Sequence, residues 1–103
     1  MDWLVSVEGP TGLRLSRSFL VDTGATRSLI PIEEARRLRL PLRRWSDITT
    51  AKGMPYRVPV VGAMVSVEGC GYFSAEFYGI SGRIFAVGND IIQRCGLTIP
   101  ARG

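Results

Sequence analysis

The chain has 103 residues, of which 46% are apolar and 21% charged, a composition typical of one soluble globular domain spanning residues 1–103. It contains no histidine, which excludes histidine metal sites and the Ser-His and Cys-His nucleophile pairs. Its apolar runs are far shorter than the roughly 20 residues of a membrane span, and Asp2 stands where a secretory signal carries basic residues, so we expect a cytoplasmic protein without a membrane span.

The net charge of +4 and a cluster of arginines near the middle of the chain raise the question of nucleic-acid binding. Only Trp45 lies beside these arginines, and one aromatic ring is a small platform for stacking bases. Arginines on the solvent face and at the end of a short helix also complement the helix dipole. We therefore do not expect a nucleic-acid partner, and a basic nucleic-acid-binding β domain is kept only as an alternative. The arginines are at positions 36, 37, 39, 43 and 44.

The N-terminal part of the chain alternates apolar and polar residues, a pattern that predicts strands. Strands are expected over residues 3–7 and 13–21, joined by a turn rich in Gly and Pro, with a brief strand over residues 28–30. Pro31 then begins a predicted helix that continues to about Leu40, with Pro41 ending it. The sequence therefore predicts a mostly β domain with one short helix in its first half.

A hairpin that turns at or beside Gly53 is predicted from the extended segments on either side of it. Pro55 and Pro59 cannot donate ladder hydrogen bonds, so the returning strand should be an edge strand or project from the sheet. A projecting hairpin would suit a lid over a binding site. An ordinary surface hairpin is the simpler interpretation of these residues alone.

The C-terminal part is predicted to contain a further hairpin, a buried strand, a short helix and a final strand. Asn89 or Asp90 would cap the helix, which continues through Cys95 and is followed by Gly96 in a left-handed conformation. Cys70 and Cys95 are too few for a disulfide scaffold and form no CxxC pair, so we expect free thiols and no metal site. The predicted strands cover residues 63–67, 73–77, 84–88 and 97–99.

An apolar run ends abruptly on Asp22, which is followed by Thr23 and Gly24. This order is typical of a buried strand that delivers one carboxylate to a turn, where backbone amides hold it. A turn aspartate that only binds local amides is the alternative, but its position directly after an apolar strand favours a chemical role. A carboxylate is a weak base at neutral pH and needs a second carboxylate to share a proton and activate water. Because the motif occurs once, the second acid must come from another copy of the chain.

Three segments together resemble the retropepsins and their bacterial and eukaryotic single-domain relatives. They are Leu20-Val21-Asp22-Thr23-Gly24-Ala25, the hairpin with glycine at its tip, and Ala86-Val87-Gly88 followed by Asn89-Asp90-Ile91-Ile92. The resemblance implies an all-β fold, a small closed retropepsin-like β-barrel with one or two short helices that forms a two-fold homodimer. It also implies an aspartic endopeptidase that hydrolyses a protein or peptide substrate and needs no metal or organic cofactor.

The same resemblance implies roles for individual residues. Asp22 would be the catalytic aspartate, the hydroxyl of Thr23 would brace the two active-site loops, and Gly24 would let the substrate backbone approach closely. Apolar pockets for the substrate would be shaped by Leu20, Ala25, Ile84 and Ala86. The flap that closes over a peptide would consist of Ala51, Lys52, Gly53 and Met54.

The sequence departs from the family pattern at one contact. Members with an arginine after the apolar-apolar-Gly triplet often pair it with an acid just after the Asp-Thr-Gly-Ala turn, and here these positions are Asn89 and Thr26. Both are neutral, so no charge is left unpaired, but the contact that braces the site is changed. A retropepsin-like dimer that binds peptides or partners without cleaving them therefore stays an alternative. Asp90 is expected to act as a helix cap and not as a second acid.

Overall fold

The computed structural model describes residues 1–49 and 53–96, which form one sheet of seven strands with two short helices. The predicted strand over residues 97–99 and the flap residues Ala51 and Lys52 lie outside the described residues. In chain order the elements are β1 Asp2–Glu8, β2 Arg14–Val21, β3 Ser28–Pro31, α1 Ile32–Arg37, β4 Leu42–Thr49, β5 Pro55–Val67, β6 Gly71–Ile80, β7 Ala86–Val87 and α2 Asn89–Arg94.

The sheet closes on itself. Its strand order is β1-β2-β7-β3-β6-β5-β4, and β1 also pairs with β5, so the described strands other than β4 form a closed ring with β4 attached at the outer edge of β5. The predicted small closed β-barrel with two short helices is therefore confirmed. Most neighbours are antiparallel, but β2–β7 and β3–β6 are parallel pairs. None of the helices in the described ranges is long and apolar enough to cross a bilayer.

The barrel interior is filled by side chains that alternate along each strand, as the sequence pattern predicts. Val5 and Val7 on β1, and Phe19 on β2, are completely buried. The Phe19 ring lies edge-on to Phe85 with ring centres 5.2 Å apart and is tilted against Phe77 at 6.2 Å. Burying three aromatic rings together supplies much of the apolar area that stabilises a domain of this size.

The hairpin formed by β4 and the first part of β5 projects from the barrel. Residues Pro55–Pro59 pair with β4, whereas the pairing of β5 with β6 begins only at Val60. Two prolines that cannot donate to a ladder therefore lie where β5 has a neighbour on one side. Gly53 at the tip has φ +78°, a conformation that favours glycine. The prediction of a projecting strand with its turn beside Gly53 is confirmed.

Helix α1 is shorter than the sequence predicts. It begins at Ile32, after Pro31 as the last residue of β3, and ends at Arg37. The predicted end near Leu40 was wrong because Arg39 adopts a left-handed conformation (φ 56°) and the Leu40 N–H turns back to the Ala35 carbonyl. The chain therefore leaves the helix before Pro41.

Helix α2 begins differently from the prediction. Its N-cap is Gly88, without a side-chain cap, and Asn89 and Asp90 lie inside the first turn. The predicted capping role was wrong because both side chains reach other segments, as described below. Gly96 has φ +66°, which confirms the predicted left-handed residue after the helix.

The expectation of free thiols was wrong, because Cys70 and Cys95 form a disulfide with their Cα atoms 5.2 Å apart. Cys70 lies in the turn between β5 and β6, and Cys95 is the C-cap of α2. These positions meet because α2 packs beside the start of β6, where the Arg94 guanidinium lies 5.3 Å from the centre of the Phe73 ring. The packing of α2 on β6 is a long-range contact that cysteine count and spacing do not reveal.

Candidate active site

Strand β2 brings Asp22 to the surface, and this strand is less buried than its apolar end predicts, because Phe19 is its one fully buried residue. Its neighbour β7 runs parallel to it, with Leu20 opposite Ala86 and Val21 opposite Val87. The Asp22 N–H continues this ladder by donating to the Val87 carbonyl at 2.9 Å. The backbone of Asp22 is thus fixed to the barrel while its side chain is exposed.

The turn after Asp22 holds its carboxylate through the backbone. The Gly24 N–H donates to Oδ1 of Asp22 at 3.0 Å, and the Ala25 N–H donates to the Asp22 carbonyl at 3.2 Å. Within the described ranges, Oδ2 of Asp22 accepts no hydrogen bond and the Thr23 hydroxyl makes none. One carboxylate oxygen is therefore oriented, and the other remains available to water or to a second carboxyl group.

The segment after β7 lies directly against this turn. A Cβ on Gly88 would lie 2.6 Å from the Arg27 carbonyl oxygen and 2.9 Å from that of Ala25, so only glycine fits. The Asn89 N–H donates to the Ala25 carbonyl at 2.9 Å, and the Asn89 side-chain amide donates to the Thr23 carbonyl at 2.8 Å. Asn89 therefore braces the turn through backbone oxygens, a contact that does not involve a charge pair.

Asp90 provides a second connection between the two segments. Its Oδ1 accepts from the Ser28 hydroxyl at 2.8 Å and from the Ile91 N–H at 2.9 Å, and its Oδ2 accepts from the Ser28 N–H at 3.2 Å. The hydroxyl of Ser28, which is fully buried, also accepts from the Gly88 N–H at 3.0 Å. Sequence reasoning missed this role of Asp90. The one sequence signal was a serine beginning an otherwise apolar strand.

An apolar floor crosses the three strands beside Asp22. Leu20, Ala86 and Leu29 are register partners on β2, β7 and β3, so their side chains share one face of the sheet. Leu20 and Ile84 are exposed to 50% and 55%, whereas Ala86 is only 2% exposed. Of the predicted pocket residues, Leu20 and Ile84 thus present accessible apolar surface, Ala86 lies beneath it, and the half-buried Leu29 is an addition that sequence reasoning missed.

The projecting hairpin faces part of this floor. A cleft of about 500 Å³ lies between the hairpin, the end of β6 and α1. Met54, beside the tip, is 65% exposed, so its side chain is not anchored to the barrel. The apolar side chains that line the cleft include Leu29, Trp45, Ile48, Tyr56, Val58 and Ile80.

Ion pairs occur elsewhere on the surface of the described residues. Arg36 and Arg37 on α1 contact Glu33 and Glu34, each at 3.0 Å. In the part of the chain that the structure describes, no three or more Cys, Asp or Glu side chains are grouped so that they would hold a metal ion.

A closed barrel in which a parallel strand pair holds an exposed Asp-Thr-Gly turn against an apolar-apolar-Gly segment defines a retropepsin-like domain. The family profile described as "Aspartyl protease" matches residues 5–87, and the chain belongs to this family. The solved structure of the EIAV protease complexed with the inhibitor HBY-793 is similar, with a TM-score of 0.64 and 19% identity over 96% of this chain and 90% of that one. At that identity the similarity concerns the fold. No curated protein sequence matches this chain.

Proposed function

We propose that the protein is an aspartic endopeptidase that acts as a two-fold homodimer, with Asp22 of each copy in one shared site. The observation that carries this proposal is the Asp22 carboxylate itself. It is exposed at the end of β2, is held by the Gly24 N–H through one oxygen, and has its other oxygen without a hydrogen bond in the described segments. Membership of the aspartyl protease family supports the same chemistry.

The need for a second copy follows from the acids available. Asp90 follows Asn89, which contacts the Asp22 turn, but both carboxylate oxygens of Asp90 accept hydrogen bonds from Ser28 or Ile91. It therefore cannot serve as the partner acid without breaking that network. A two-fold axis beside the turn would instead bring Asp22 against its own copy.

In such a dimer the two Asp22 carboxyls would share one proton, because like charges this close cannot both ionise without a large energetic cost. The ionised carboxylate takes a proton from water as the water oxygen attacks the scissile carbonyl carbon. The protonated carboxyl donates its proton to the carbonyl oxygen, which gives a tetrahedral diol. The diol then collapses as the C–N bond breaks: the nitrogen takes the proton that the first carboxylate received from water, and the other carboxylate takes the proton of one diol hydroxyl. An amine and a carboxylic acid are released, and the carboxyl pair again holds one proton. No cofactor enters these steps.

The substrate would be an extended peptide that adds as a strand between the hairpin and the apolar floor. Leu20 and Ile84 supply accessible apolar contacts, Ala86 is buried, and Ala25 is partly buried in the turn after Asp22. The tip residues Ala51, Lys52, Gly53 and Met54 form the proposed flap. The hydroxyl of Thr23 is proposed to brace the equivalent loop of the second copy.

A non-catalytic peptide-binding dimer is the second candidate. The observation that favours it is the contact between Asn89 and the Thr23 carbonyl, which stands where family members often have a charge pair. A nucleic-acid-binding domain receives less support, because Arg36, Arg37 and Arg44 each contact a glutamate. Peptide affinity without turnover in the wild type would identify the binding dimer.

The test is cleavage of a peptide mixture by the wild type and by Asp22→Asn, with Glu68→Gln as a control that removes an exposed carboxylate of the β5–β6 turn. Asp22→Asn should abolish turnover and keep the circular dichroism spectrum of the wild type, while Glu68→Gln should cleave normally. Because one carboxyl must be ionised and the other protonated, the wild-type rate should rise and fall with pH, with its maximum on the acid side of neutrality. Turnover by Asp22→Asn at the wild-type rate would refute the assignment.

Sedimentation equilibrium tests the assembly separately. We expect a dimer in mild acid, where the shared proton is retained. Asp22→Asn, which removes the repulsion between carboxylates, should dimerise at least as tightly as the wild type at neutral pH. A wild type that stays monomeric at high concentration in mild acid would refute the shared site.

A further inference from the structure

A small polar pocket lies beside the active-site turn, between the start of β3, α2 and β6. Its volume is about 190 Å³, below the roughly 300 Å³ at which sites for drug-sized ligands begin, so it suits a single side chain. Its polar lining consists of Arg27, Ser74, Glu76, Asp90 and Arg94.

The two carboxylates in this pocket are already bonded. Glu76 accepts from Arg44 at 2.7 Å, and Asp90 accepts from Ser28 and the Ile91 N–H. Arg27 and Arg94, in contrast, have no carboxylate within ion-pair distance among residues 1–49 and 53–96. The pocket therefore offers two guanidinium groups to an incoming anion.

The position of Arg27 connects this pocket with the proposed substrate cleft. Arg27 follows Gly24 by three residues in the bend that leads into β3, and it lines the same pocket as Glu76. Tyr78 is the register partner of Leu29, and Glu76 precedes Tyr78 by two residues on β6. The polar pocket thus lies one step along the strands from the apolar floor, at the level of Gly88 and Asp22, because Arg27 lies against Gly88 and Asp22 continues the β2–β7 ladder.

We propose that Arg27, supported by Arg94, selects substrates with an acidic side chain a few residues from the scissile bond. This inference rests on the proposed function. A guanidinium group binds a carboxylate through two parallel hydrogen bonds that are strengthened by the opposite charges. The neutral amide of Gln has the same shape as the carboxylate of Glu but lacks its charge, so it binds more weakly. In a two-fold dimer each copy presents one Arg27, so the preference applies on both sides of the bond.

The experiment uses one cleavable peptide in which Glu, Gln or Lys is placed in turn at each position from two to four residues on either side of the bond. At a pH where Glu is ionised, we expect kcat/KM for the best Glu peptide to exceed that of its Gln counterpart about fivefold, the upper range for an exposed ion pair. The ratio should shrink as salt is added. Arg27→Gln should abolish the preference, whereas Arg39→Gln, an equal loss of charge at a distant exposed site, should keep it.

Charge reversal provides the sharper arm, because Arg27→Glu should prefer Lys over Gln at the same position. Equal kcat/KM for Glu, Gln and Lys peptides in the wild type, or an unchanged Glu preference in Arg27→Gln, would overturn the inference. Absence of any cleavage by the wild type would instead contradict the proposed function. In that case the affinities of the same peptides for the Asp22→Asn variant decide the question. Tighter binding of the Glu peptide that is lost when Arg27→Gln is added to this variant still supports the inference. Equal affinities for the Glu, Gln and Lys peptides overturn it.

Discussion

Asp90 and Ser28 are 62 residues apart in the chain, yet two hydrogen bonds of 2.8 and 3.2 Å join the carboxylate of one to the hydroxyl and N–H of the other. The same hydroxyl accepts from the Gly88 N–H. The start of α2 is thereby fixed to the start of β3, directly behind the turn that carries Asp22. This network stabilises the site together with the bond from Asn89 to the Thr23 carbonyl.

Removing the Ser28 hydroxyl should destabilise the domain measurably. In Ser28→Ala the Gly88 N–H loses its acceptor and the part-buried Asp90 carboxylate loses a donor. The free energy of unfolding should therefore fall by about 1–3 kcal/mol. Urea denaturation gives the value. Ser18→Ala, at an exposed position on β2, is the control and should change stability by less than about 0.5 kcal/mol. Equal effects of the two substitutions would show that the network contributes little.

The disulfide should contribute a large share of the stability. It closes a loop with a sequence separation of 25 residues, for which chain entropy gives about 3.5 kcal/mol. Cys70→Ser with Cys95→Ser, or reduction of the wild type, should lower the thermal midpoint, and reductant should leave the double variant unaffected. Unfolded, unreduced wild type should show no reactive thiol. Two reactive thiols in the protein isolated from its native compartment would show that Cys70 and Cys95 are reduced there, as the sequence predicts, and would agree with a cytoplasmic location.

The flap proposal predicts a separation of activity from stability at Gly53. Gly53→Val forces a β-branched residue into φ +78°, which should impair closure over a peptide and lower kcat/KM far more than it lowers the thermal midpoint. Gly12, with φ +90° in the β1–β2 turn, offers a matched strained position away from the hairpin. Gly12→Val should lower stability by a similar amount and leave kcat/KM unchanged. Parallel losses of activity in both variants would favour an ordinary surface hairpin.

The contact between Tyr72 on β6 and Glu8 on β1 should be visible in a titration. Donation by the Tyr72 hydroxyl lowers the pKa of Glu8 below its ordinary 4.5; desolvation opposes this shift, and Arg14 at 3.5 Å adds to it. A carboxyl whose pKa is lower in the folded state adds stability at pH values above its unfolded-state pKa. This contribution is lost as the pH falls through the folded-state pKa. Tyr72→Phe should therefore raise the Glu8 pKa measured by NMR. Tyr56→Phe on the hairpin is the control and should leave it unchanged.

Much of the fold could be predicted from local patterns in the sequence. Alternation along β1 and β2 placed Val5, Val7 and Phe19 inside, because a strand has a period of two and one face must be buried. Glycines at the hairpin tip and after α2 were predicted correctly because Gly53 and Gly96 occupy left-handed conformations that other residues adopt at a cost. The Asp22 turn was recognisable for a related reason, since a carboxylate and a glycine directly after an apolar strand have few purely structural uses.

The remaining features depend on which distant segments meet, and only the tertiary structure decided them. Pairing of β1 with β5 closes the barrel, and packing of α2 against β6 joins Cys70 to Cys95. The docking of α2 on β3 takes Asp90 away from a capping role and leaves Arg27 beside an open pocket. Side-chain partners separated by tens of residues are set by strand register and helix docking, which arise from burial of the whole core and leave no local signal in the sequence.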